Sequence, residues 1–329
     1  MHTALLAALE AASTARPLPP EQAESLLALL PEGETGSPLP PLFALAGLAA
    51  GQGGSKPFTC GIINAKSGRC GENCAFCAQS GYHKTDSPVY ALISSEKLLE
   101  RAAALADAGV DYMGVVTSGS GPTKRDFAAI CDAAEYITKR VNIKLCASLG
   151  VLRPEEAVAL KQAGFTSYHH NLETSAGYYA QVCTTHEHSL RVDTVRVALA
   201  AGLRVCSGGI FGLGESWRDR LELALNLAEL GVHSIPVNFL TPIPGTPLEN
   251  APGLRPAEAL AVISLFRLLH PSRDIVICGG RSRTLAEWQN CLFMAGANGL
   301  MVGDYLTTRG GALDKDLSML RELGIASHG

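Results

Sequence analysis

A repeating alternation of short apolar runs and longer amphipathic segments fills the chain from residue 58 onward. Each short run has the character of a buried β-strand. Eight such runs occur: "FTCGIINAK", "VDYMGVVTSG", "NIKLCASLG", "TSYHHNLET", "LRVCSGGIFG", "HSIPVNFLTP", "DIVICGG" and "GLMVGDY". The segments between them, such as "SSEKLLERAAALADAG" and "SWRDRLELALNLAELG", have apolar residues at helical spacing and end near Gly or a basic residue.

Eight strand–helix units in about 250 residues match the size and alternation of an α/β fold of the (β/α)8, TIM-type barrel class. A doubly wound open sheet is the alternative, but its GxGxxG fingerprint is missing from the first strand–helix turn. In a barrel, the C-terminal strand ends and the loops after them form the active site. We therefore expect the polar and cysteine-bearing residues of the strands to face one cavity.

Proline-rich breaks and a glycine loop, "GQGGSKP", separate the first part of the chain from this pattern. We assign residues 1–52 to an N-terminal helical cap, residues 53–309 to the barrel and residues 310–329 to a C-terminal helical tail. The cap is predicted to contain two or three short helices and no catalytic residues.

Composition narrows the class of partner. The chain has 329 residues, 47% of them hydrophobic, a formal net charge of -4 and no run of Lys or Arg, which predicts a globular protein without a surface for nucleic acid or anionic lipid. The N-terminus lacks the basic region of a signal peptide and has Glu10 inside its apolar run. "LFALAGLAAG" is about half the length of a membrane span, which needs roughly 20 residues. We expect a cytoplasmic protein that binds small molecules.

Ten cysteines without a secretion signal indicate metal or redox chemistry rather than disulfides. Three of them, Cys70, Cys74 and Cys77, form a CxxxCxxC motif in the loop after the first strand. Three thiolates can hold three irons of a four-iron cluster and leave the fourth iron open to an external ligand. A structural zinc site completed by a distant Cys or His is the alternative, but the second knuckle usual in such sites is missing.

This spacing, with Phe76 beside the last cysteine, resembles the radical S-adenosylmethionine (SAM) superfamily. The resemblance implies a [4Fe-4S] cluster whose open iron binds SAM and whose electron cleaves it to a 5′-deoxyadenosyl radical. "SGSG" at residues 118–121 is then expected near the methionyl group. "GGIFGLGE", which begins with Gly208, Gly209 and Ile210, fits the superfamily's GxIxGxxE pattern near adenine.

Five longer motifs, "SGRCGENCAFCAQS", "YHHNLETS", "RVCSGGIFGLGE", "PVNFLTPIPGTPL" and "FMAGANG", resemble the biotin synthase family over nearly the whole barrel. The resemblance implies conversion of dethiobiotin to biotin with sulfur from an auxiliary iron–sulfur cluster deep in the barrel. It also implies a homodimer, a small electron-donor protein of the flavodoxin or ferredoxin type, and a system that supplies iron and sulfur.

The chain departs from the auxiliary ligand set of the best-known members, a [2Fe-2S] cluster held by three Cys and one Arg. Cys146 and Cys206 match two of these ligands, but Tyr112 and Val276 stand where a Cys and the Arg are expected. Two further cysteines, Cys60 and Cys278, lie in predicted barrel strands. Each of these thiols alone reads equally well as a small buried hydrophobe. Together, Cys60, Cys146, Cys206 and Cys278 suit a four-thiolate auxiliary cluster, of the four-iron type or alternatively [2Fe-2S].

Several polar residues match family positions. Asn171 and Asn238 correspond to asparagines that bind SAM or the ureido ring of dethiobiotin. Lys66 corresponds to a residue near the first cluster and is predicted to bind substrate, although a solvated lysine fits nearly as well. Glu173 stands where an Asp is common and is expected near SAM.

Two adjacent histidines and three further cysteines lie outside these family positions. Adjacent residues of a strand face opposite sides, so we expect at most one of His169 and His170 to face the barrel interior. Core packing is expected for Cys131, Cys183 and Cys291.

Two other functions remain open from the residues alone. A related radical SAM barrel, such as a hydrogenase-maturation or methylornithine-forming enzyme, would share CxxxCxxC but would not need four further barrel cysteines. A non-catalytic iron–sulfur or zinc scaffold would not need an open iron.

Overall fold

A computed structural model describes residues 2–30, 39–54, 56–303 and 312–325. Its strands are all parallel and occupy the positions of the eight predicted runs. They are β1 (Phe58–Lys66), β2 (Tyr112–Thr117), β3 (Lys144–Ser148), β4 (Phe165–His169), β5 (Arg204–Cys206), β6 (Gly209–Phe211), β7 (Ser234–Phe239), β8 (Asp274–Ile277) and β9 (Gly299–Met301). The fifth predicted run therefore forms two strands, β5 and β6.

The sheet closes on itself. Its strand order is β5-β4-β3-β2-β1-β9-β8-β7-β6, and β5 pairs with β7 as well. The last strand pairs with the first, with Phe58 opposite Gly299, and Cys206 lies opposite Ser234 where β5 meets β7. Because β5 and β6 both pair with β7, they act as two halves of one barrel strand. The architecture is the eight-stranded (β/α)8 barrel that the pattern predicts.

Helices surround this sheet and form the cap. They are α1 (His2–Thr14), α2 (Pro20–Ala23), α3 (Leu39–Gly53), α4 (Ser95–Asp107), α5 (Lys124–Thr138), α6 (Pro154–Gln162), α7 (His188–Ala200), α8 (Trp217–Leu230), α9 (Pro256–Leu269), α10 (Arg281–Leu285), α11 (Cys291–Met294) and α12 (Leu313–Glu322). Short 3-10 turns cover Glu24–Leu29, Tyr179–Gln181 and Ala286–Trp288. Among the described residues, no helix combines the length and apolar character that crossing a membrane requires.

The predicted helical cap is present as α1, α2 and α3. Helix α3 packs on α1 and α9, and its Leu42, Leu45 and Ala49 are buried in the same core as the barrel. This cover explains why the residues of α9 from 259 to 269 are all buried, since a helix that is apolar on every side needs neighbours on every side. The proposed boundary after residue 52 falls within α3, and the boundary after residue 309 lies outside the described residues.

Helix α12 lies in the predicted C-terminal tail and is joined to the barrel by a buried ion pair. Asp316 accepts a hydrogen bond from Arg281 at 2.9 Å, and both side chains are at most 6% exposed.

Arg267, near the end of α9, is fully buried. Burial lowers its pKa to about 10. The guanidinium donates to the carbonyls of His270, Pro271, Arg273 and Gly296, and to the side-chain oxygen of Asn298, over 2.7–3.1 Å. Arg267 therefore joins the end of α9 to the segments that precede β8 and β9.

Candidate active site

The barrel interior contains a cavity of about 450 Å³, within the size range of small-molecule sites. Its wall extends from Phe58 and Tyr112, the first residues of β1 and β2, to Gly119 in the loop after β2. Seven of the ten cysteines line it: Cys60, Cys70, Cys74, Cys77, Cys146, Cys206 and Cys278. The structure therefore brings together all the cysteines that the sequence assigns to clusters.

Backbone hydrogen bonds shape the CxxxCxxC loop. The amide of Cys70 donates to the carbonyl of Gln79 at 2.7 Å, and the amide of Gly81 donates back to the carbonyl of Cys70 at 2.7 Å. A tight turn brings the amide of Cys77 to the carbonyl of Cys74 at 3.0 Å. Phe76 also lines the cavity, as do Ser118, Gly119 and Ser120 of the SGSG segment.

The second set of cysteines comes from four separate parts of the sheet. Cys60 lies on β1, Cys146 on β3 and Cys206 on β5, and Cys278 follows the last residue of β8. The amide of Cys278 donates to the carbonyl of Val237 at 3.0 Å, so the strand pairing continues to this residue. Side chains this far apart in the chain meet only because the sheet is closed.

Burial raises the pKa of all seven thiols, and that of Cys206 to about 11. In the second set, charges on neighbouring thiols act in the same direction as burial: Cys206 and Cys60 raise the pKa of Cys146 further. These cysteines are therefore neutral at pH 7 without a metal, and a bound cation is what makes such thiols ionise.

Tyr112 and Val276, the two positions where the sequence resemblance predicts a Cys and an Arg, also line this cavity. Tyr112 lies opposite Cys60 in the β1–β2 pairing, and Val276 of β8 is buried. Arg204 of β5 lines the cavity as well and forms an ion pair with Asp274. Sequence reasoning missed Arg204 although it begins the motif "RVCSGGIFGLGE", because that motif was interpreted only through Cys206 and its glycines.

A cluster of polar side chains forms around the segment that follows β4. Glu173 has a left-handed backbone with φ of 71°, which is uncommon for a non-glycine residue and is concentrated at functional sites. Its carboxylate accepts from Asn171 at 3.3 Å and pairs with Arg191 of α7 at 3.4 Å, and both charged side chains are 11% exposed. Burial raises the pKa of Glu173, and the positive charge of Arg191 opposes that shift.

Arg191 connects this polar group to the CxxxCxxC loop. It donates to the carbonyl of Asn171 at 3.0 Å and to the Tyr179 hydroxyl at 2.6 Å, and its guanidinium lies 4.0 Å from the sulfur of Cys74. The sequence offered no sign of this role, because Arg191 reads as one charged residue on an amphipathic helix.

The other residues predicted to bind SAM or substrate divide into those that line the cavity and those that do not. Asn238 and Ile210 line the cavity, and the amide of Asn238 bridges the carbonyl of Gly209 and the backbone amide of Gly279. Gly208 and Gly209 are not among the lining residues. A Cβ at Gly208 would lie 2.0 Å from the carbonyl oxygen of Pro236, so close strand packing explains this glycine.

Lys66 is placed differently from the predicted substrate position. Its ammonium forms an ion pair with Asp126 of α5 at 2.6 Å, and it is not one of the residues that line the cavity.

The expectation for the two adjacent histidines is wrong. Both His169 and His170 line the cavity, because β4 ends at His169 and strand alternation does not extend to the next residue. Burial lowers the pKa of His169 to about 4 and that of His170 well below its ordinary value, so both are neutral at pH 7. Among the described residues, Nε2 of His170 has no hydrogen-bond partner, which leaves a polar atom available to a ligand.

The remaining cysteines lie outside the cavity wall. Cys131 is on α5 and Cys291 begins α11, and both pack partly buried against the main core. Cys183 follows the 3-10 turn Tyr179–Gln181 and is buried against Cys74 and Tyr179. Cys183 is therefore a neighbour of the CxxxCxxC loop, which its distance along the chain concealed.

Comparison with protein families matches residues 65–227 to the radical SAM superfamily and residues 236–326 to the Biotin and Thiamin Synthesis associated domain. Among curated proteins, the chain is 57% identical over 276 residues to the biotin synthase of Nitratidesulfovibrio vulgaris (strain Miyazaki F), covering 81% of this chain and 76% of that protein. It is 50% identical over 275 residues to the biotin synthase of Geotalea uraniireducens, covering 83% of this chain and 84% of that protein.

Solved structures share the fold at low sequence identity. A methylornithine synthase superposes with a TM-score of 0.81 at 18% identity, covering 98% of this chain and 97% of the other. The FeFe-hydrogenase maturase of Carboxydothermus hydrogenoformans superposes with a TM-score of 0.79 at 15% identity, covering 98% and 79%. At these identities the likenesses show the fold alone.

Proposed function

The chain belongs to the biotin synthase family, and on that premise we propose how its cysteines divide the reaction between two iron–sulfur clusters. The family's activity is the SAM-dependent radical insertion of sulfur into dethiobiotin, with a [4Fe-4S] cluster and an auxiliary iron–sulfur cluster. In our proposal Cys70, Cys74 and Cys77 bind the first cluster. The ligands of the auxiliary cluster are Cys60, Cys146, Cys206 and Cys278, and this cluster is of the four-iron type.

The donor chemistry of the cavity supports this assignment. Seven thiols line one cavity, and three of them share the loop above the strands whereas four come from the barrel wall. Three thiolate ligands leave one iron of a four-iron cluster without a protein ligand, whereas four thiolates bind all four irons. The first cluster, when bound, supplies the electron that cleaves SAM to a 5′-deoxyadenosyl radical, which can break unactivated C–H bonds.

The chain's polar residues then bind and orient the two small molecules. We assign Asn171, Glu173, Phe76 and Ile210 to SAM, and Asn171 and Asn238 to the uncharged ureido ring of dethiobiotin, because an amide offers both a donor and an acceptor without charge. The hydrogen bonds of Asn171 and Asn238 to backbone and side-chain partners hold these amides in one orientation. The glycines Gly208 and Gly209 contribute through strand packing rather than contact.

The substrate role of Lys66 is not carried into this proposal, because its ammonium is engaged by Asp126. We also propose a cytoplasmic homodimer that receives electrons from a flavodoxin- or ferredoxin-type protein and its iron and sulfur from a supply system. Ten free thiols suit a reducing compartment.

The observation that carries the proposal is the joint position of the four wall cysteines in the cavity, and removing one of them tests it. Cys60→Ala and Cys278→Ala should still form 5′-deoxyadenosine from SAM, yet form at least about tenfold less biotin, a difference of roughly 1.4 kcal/mol or more in the barrier. Cys131→Ala, outside the cavity, is the matched control and should form both products normally.

Mössbauer spectra of anaerobically purified wild type and Cys278→Ala give an independent readout. Loss of one class of iron in the variant, with the other class intact, would agree with two separately bound clusters. Biotin formation at the wild-type rate by both Cys60→Ala and Cys278→Ala would show that these thiols are core residues and that the auxiliary site lies elsewhere.

A further inference from the structure

A second group of side chains with metal-ligating donor atoms lies beside the CxxxCxxC loop. Glu72, Cys183 and His186 each offer one donor atom, and these atoms all lie within 4.8 Å of one another. The sulfur of Cys183 is 3.4 Å from Nδ1 of His186, and the same nitrogen is 2.8 Å from the Glu72 carboxylate. Glu72 lies between Cys70 and Cys74, whereas the other two residues precede α7, so the fold brings the three together.

The spacing of these atoms is close to that of ligands around one metal ion. With metal–ligand distances of about 2.0–2.3 Å, tetrahedral geometry separates neighbouring donor atoms by roughly 3.3–3.7 Å. The distance between Cys183 and His186 falls in this range. The distance between His186 and Glu72 is shorter, so the carboxylate must move outward by about half an ångström to admit an ion.

The His186 ring and the Glu72 carboxylate also have hydrogen-bond partners of the kind that support ligands in metal sites. The second ring nitrogen of His186 is 2.7 Å from the Tyr179 hydroxyl, and Arg191 donates to that hydroxyl at 2.6 Å. The Thr185 hydroxyl donates to the Glu72 carboxylate. Metal-bound imidazoles almost always have a hydrogen-bond partner on the other nitrogen, and ligating carboxylates are hydrogen-bonded in turn.

We propose that Glu72, Cys183 and His186 form a mononuclear site for a divalent transition-metal ion, separate from both iron–sulfur clusters. One sulfur, one nitrogen and one oxygen donor suit Zn²⁺ or Fe²⁺, whereas Mg²⁺ and Ca²⁺ take oxygen ligands. Three protein ligands leave a fourth position open. Glu72 and His186 line the cavity, so the ion is reached from the space that the cluster cysteines share.

The site does not depend on which residues bind the auxiliary cluster. A hydrogen-bonded group without a metal is the competing explanation, because Cys183 also donates to the side-chain oxygen of Asn73 at 3.4 Å. The two explanations differ in one measurable property: only a metal site binds one ion per chain through one sulfur atom.

Zn²⁺ is the probe, since its X-ray absorption edge is separate from that of iron. Full-length protein with its iron–sulfur clusters loaded is equilibrated anaerobically with Zn²⁺, and zinc and iron contents are measured together. We expect one zinc per chain, an unchanged iron content, and a zinc absorption spectrum with one sulfur neighbour among nitrogen and oxygen neighbours.

Two variants and one control complete the test. Cys183→Ser should lose the sulfur neighbour and weaken zinc binding at least about tenfold, as the loss of a metal ligand or its supporting partner does. His186→Gln should weaken binding similarly while retaining the sulfur neighbour. Cys131→Ser, a cysteine of α5 outside the cavity, should bind zinc as wild type does.

Three results would overturn the proposal. Wild-type zinc with three or four sulfur neighbours would place the ion on the cluster cysteines. Zinc affinity unchanged in both Cys183→Ser and His186→Gln would show that these residues do not bind it. Failure of the wild type to bind zinc would leave a hydrogen-bonded group as the explanation.

Discussion

Seven cysteines of this protein share an environment that their spacing in the sequence does not reveal. The seven thiols of the cavity all have a raised pKa because they are buried, so each resists ionisation until a metal is present. A free thiol of this kind is a weak nucleophile and is oxidised less readily than an exposed one. Burial therefore limits the reactivity of these thiols whenever no metal is bound to them.

The loop cysteines allow a direct prediction. In the proposed assignment, Cys74→Ala removes one of the three thiolates of the first cluster, so the open iron that binds the amino-acid end of SAM should be lost. We expect 5′-deoxyadenosine formation to fall at least about 100-fold, roughly 2.7 kcal/mol in the barrier, in an anaerobic assay with chemical reductant. Cys291→Ala, at the start of α11, is the control. Normal 5′-deoxyadenosine production by Cys74→Ala would contradict the assignment.

At the level of single residues, motifs identified the cysteines but not their polar neighbours. Family motifs contain the loop cysteines, Cys206 and the two asparagines, whereas the other wall cysteines were singled out by their position on predicted barrel strands. The structure places all of these side chains at the cavity. Arg191 and Cys183 were not predictable, since each meets the CxxxCxxC loop across more than a hundred residues of chain and has no local motif. The family position of Lys66 likewise did not reveal that its ammonium pairs with Asp126 of α5.

Among the elements, the divided fifth strand has the clearest effect on the site. Residues 207 and 208 separate β5 from β6, and both halves pair with β7. The amides of Leu172 and Glu173 donate to the carbonyl of Gly208, so the segment after β4 is joined to this interruption. The break therefore positions Cys206 in the wall and supports the left-handed backbone of Glu173.

Gly208 is expected to tolerate no side chain. In Gly208→Ala the new methyl group would lie 2.0 Å from the carbonyl oxygen of Pro236, a backbone atom that cannot turn aside. We predict a loss of about 1–3 kcal/mol in the free energy of unfolding, measured by urea denaturation.

Gly47→Ala is the matched control, because this exposed residue of α3 has no atom within 4 Å of the added methyl group. It should leave stability unchanged or raise it by about 0.5–1 kcal/mol, since alanine is the better helix former. Equal stability of the Gly208→Ala protein and the wild type would show that the strand break can widen at little cost.

The pattern of apolar residues predicted the number and order of strands but not this division. "LRVCSGGIFG" reads as one run because periodicity reports burial and not hydrogen bonding. The same limit explains the two histidines after β4: alternation is reliable within a strand and ends with it. The barrel class was predictable because it depends on alternation repeated over the whole chain.

At the scale of the whole molecule, the cap and the barrel share one core. Helix α3 covers α9, and the methyl group that a side chain at Gly53 would add lies 1.9 Å from the carbonyl oxygen of Pro271. Such a close approach leaves no room for solvent between the cap and the barrel at this point. We therefore expect the cap to unfold together with the barrel rather than as a separate domain.

A buried histidine in this shared core predicts how stability depends on pH. Burial, assisted by the charge of Arg267, lowers the pKa of His270 to about 3 from its ordinary value of 6.5. Below pH 6.5 the unfolded chain binds a proton that the native protein does not, so stability is complete above that pH and falls as the pH decreases toward 3.

The contribution of His270 can be isolated by substitution. Between pH 6.5 and pH 5, protonation of His270 in the unfolded chain should lower the free energy of unfolding of the wild type by about 2 kcal/mol. His270→Gln, which has no proton to gain, should lose correspondingly less over the same interval in urea denaturation at each pH. Identical pH dependence of the two proteins would show that folding does not lower the pKa of His270.

Arg267 has a consequence for the order in which the chain can be completed during synthesis. Five of its hydrogen bonds go to residues that follow it, the last two to Gly296 and Asn298. As the polypeptide leaves the ribosome, the guanidinium precedes these partners by about thirty residues and must stay hydrated until they emerge. The final turn of α9 therefore cannot reach its buried position before β8 and residues 296–298 are available, so the barrel closes only after this part of the chain has been synthesised.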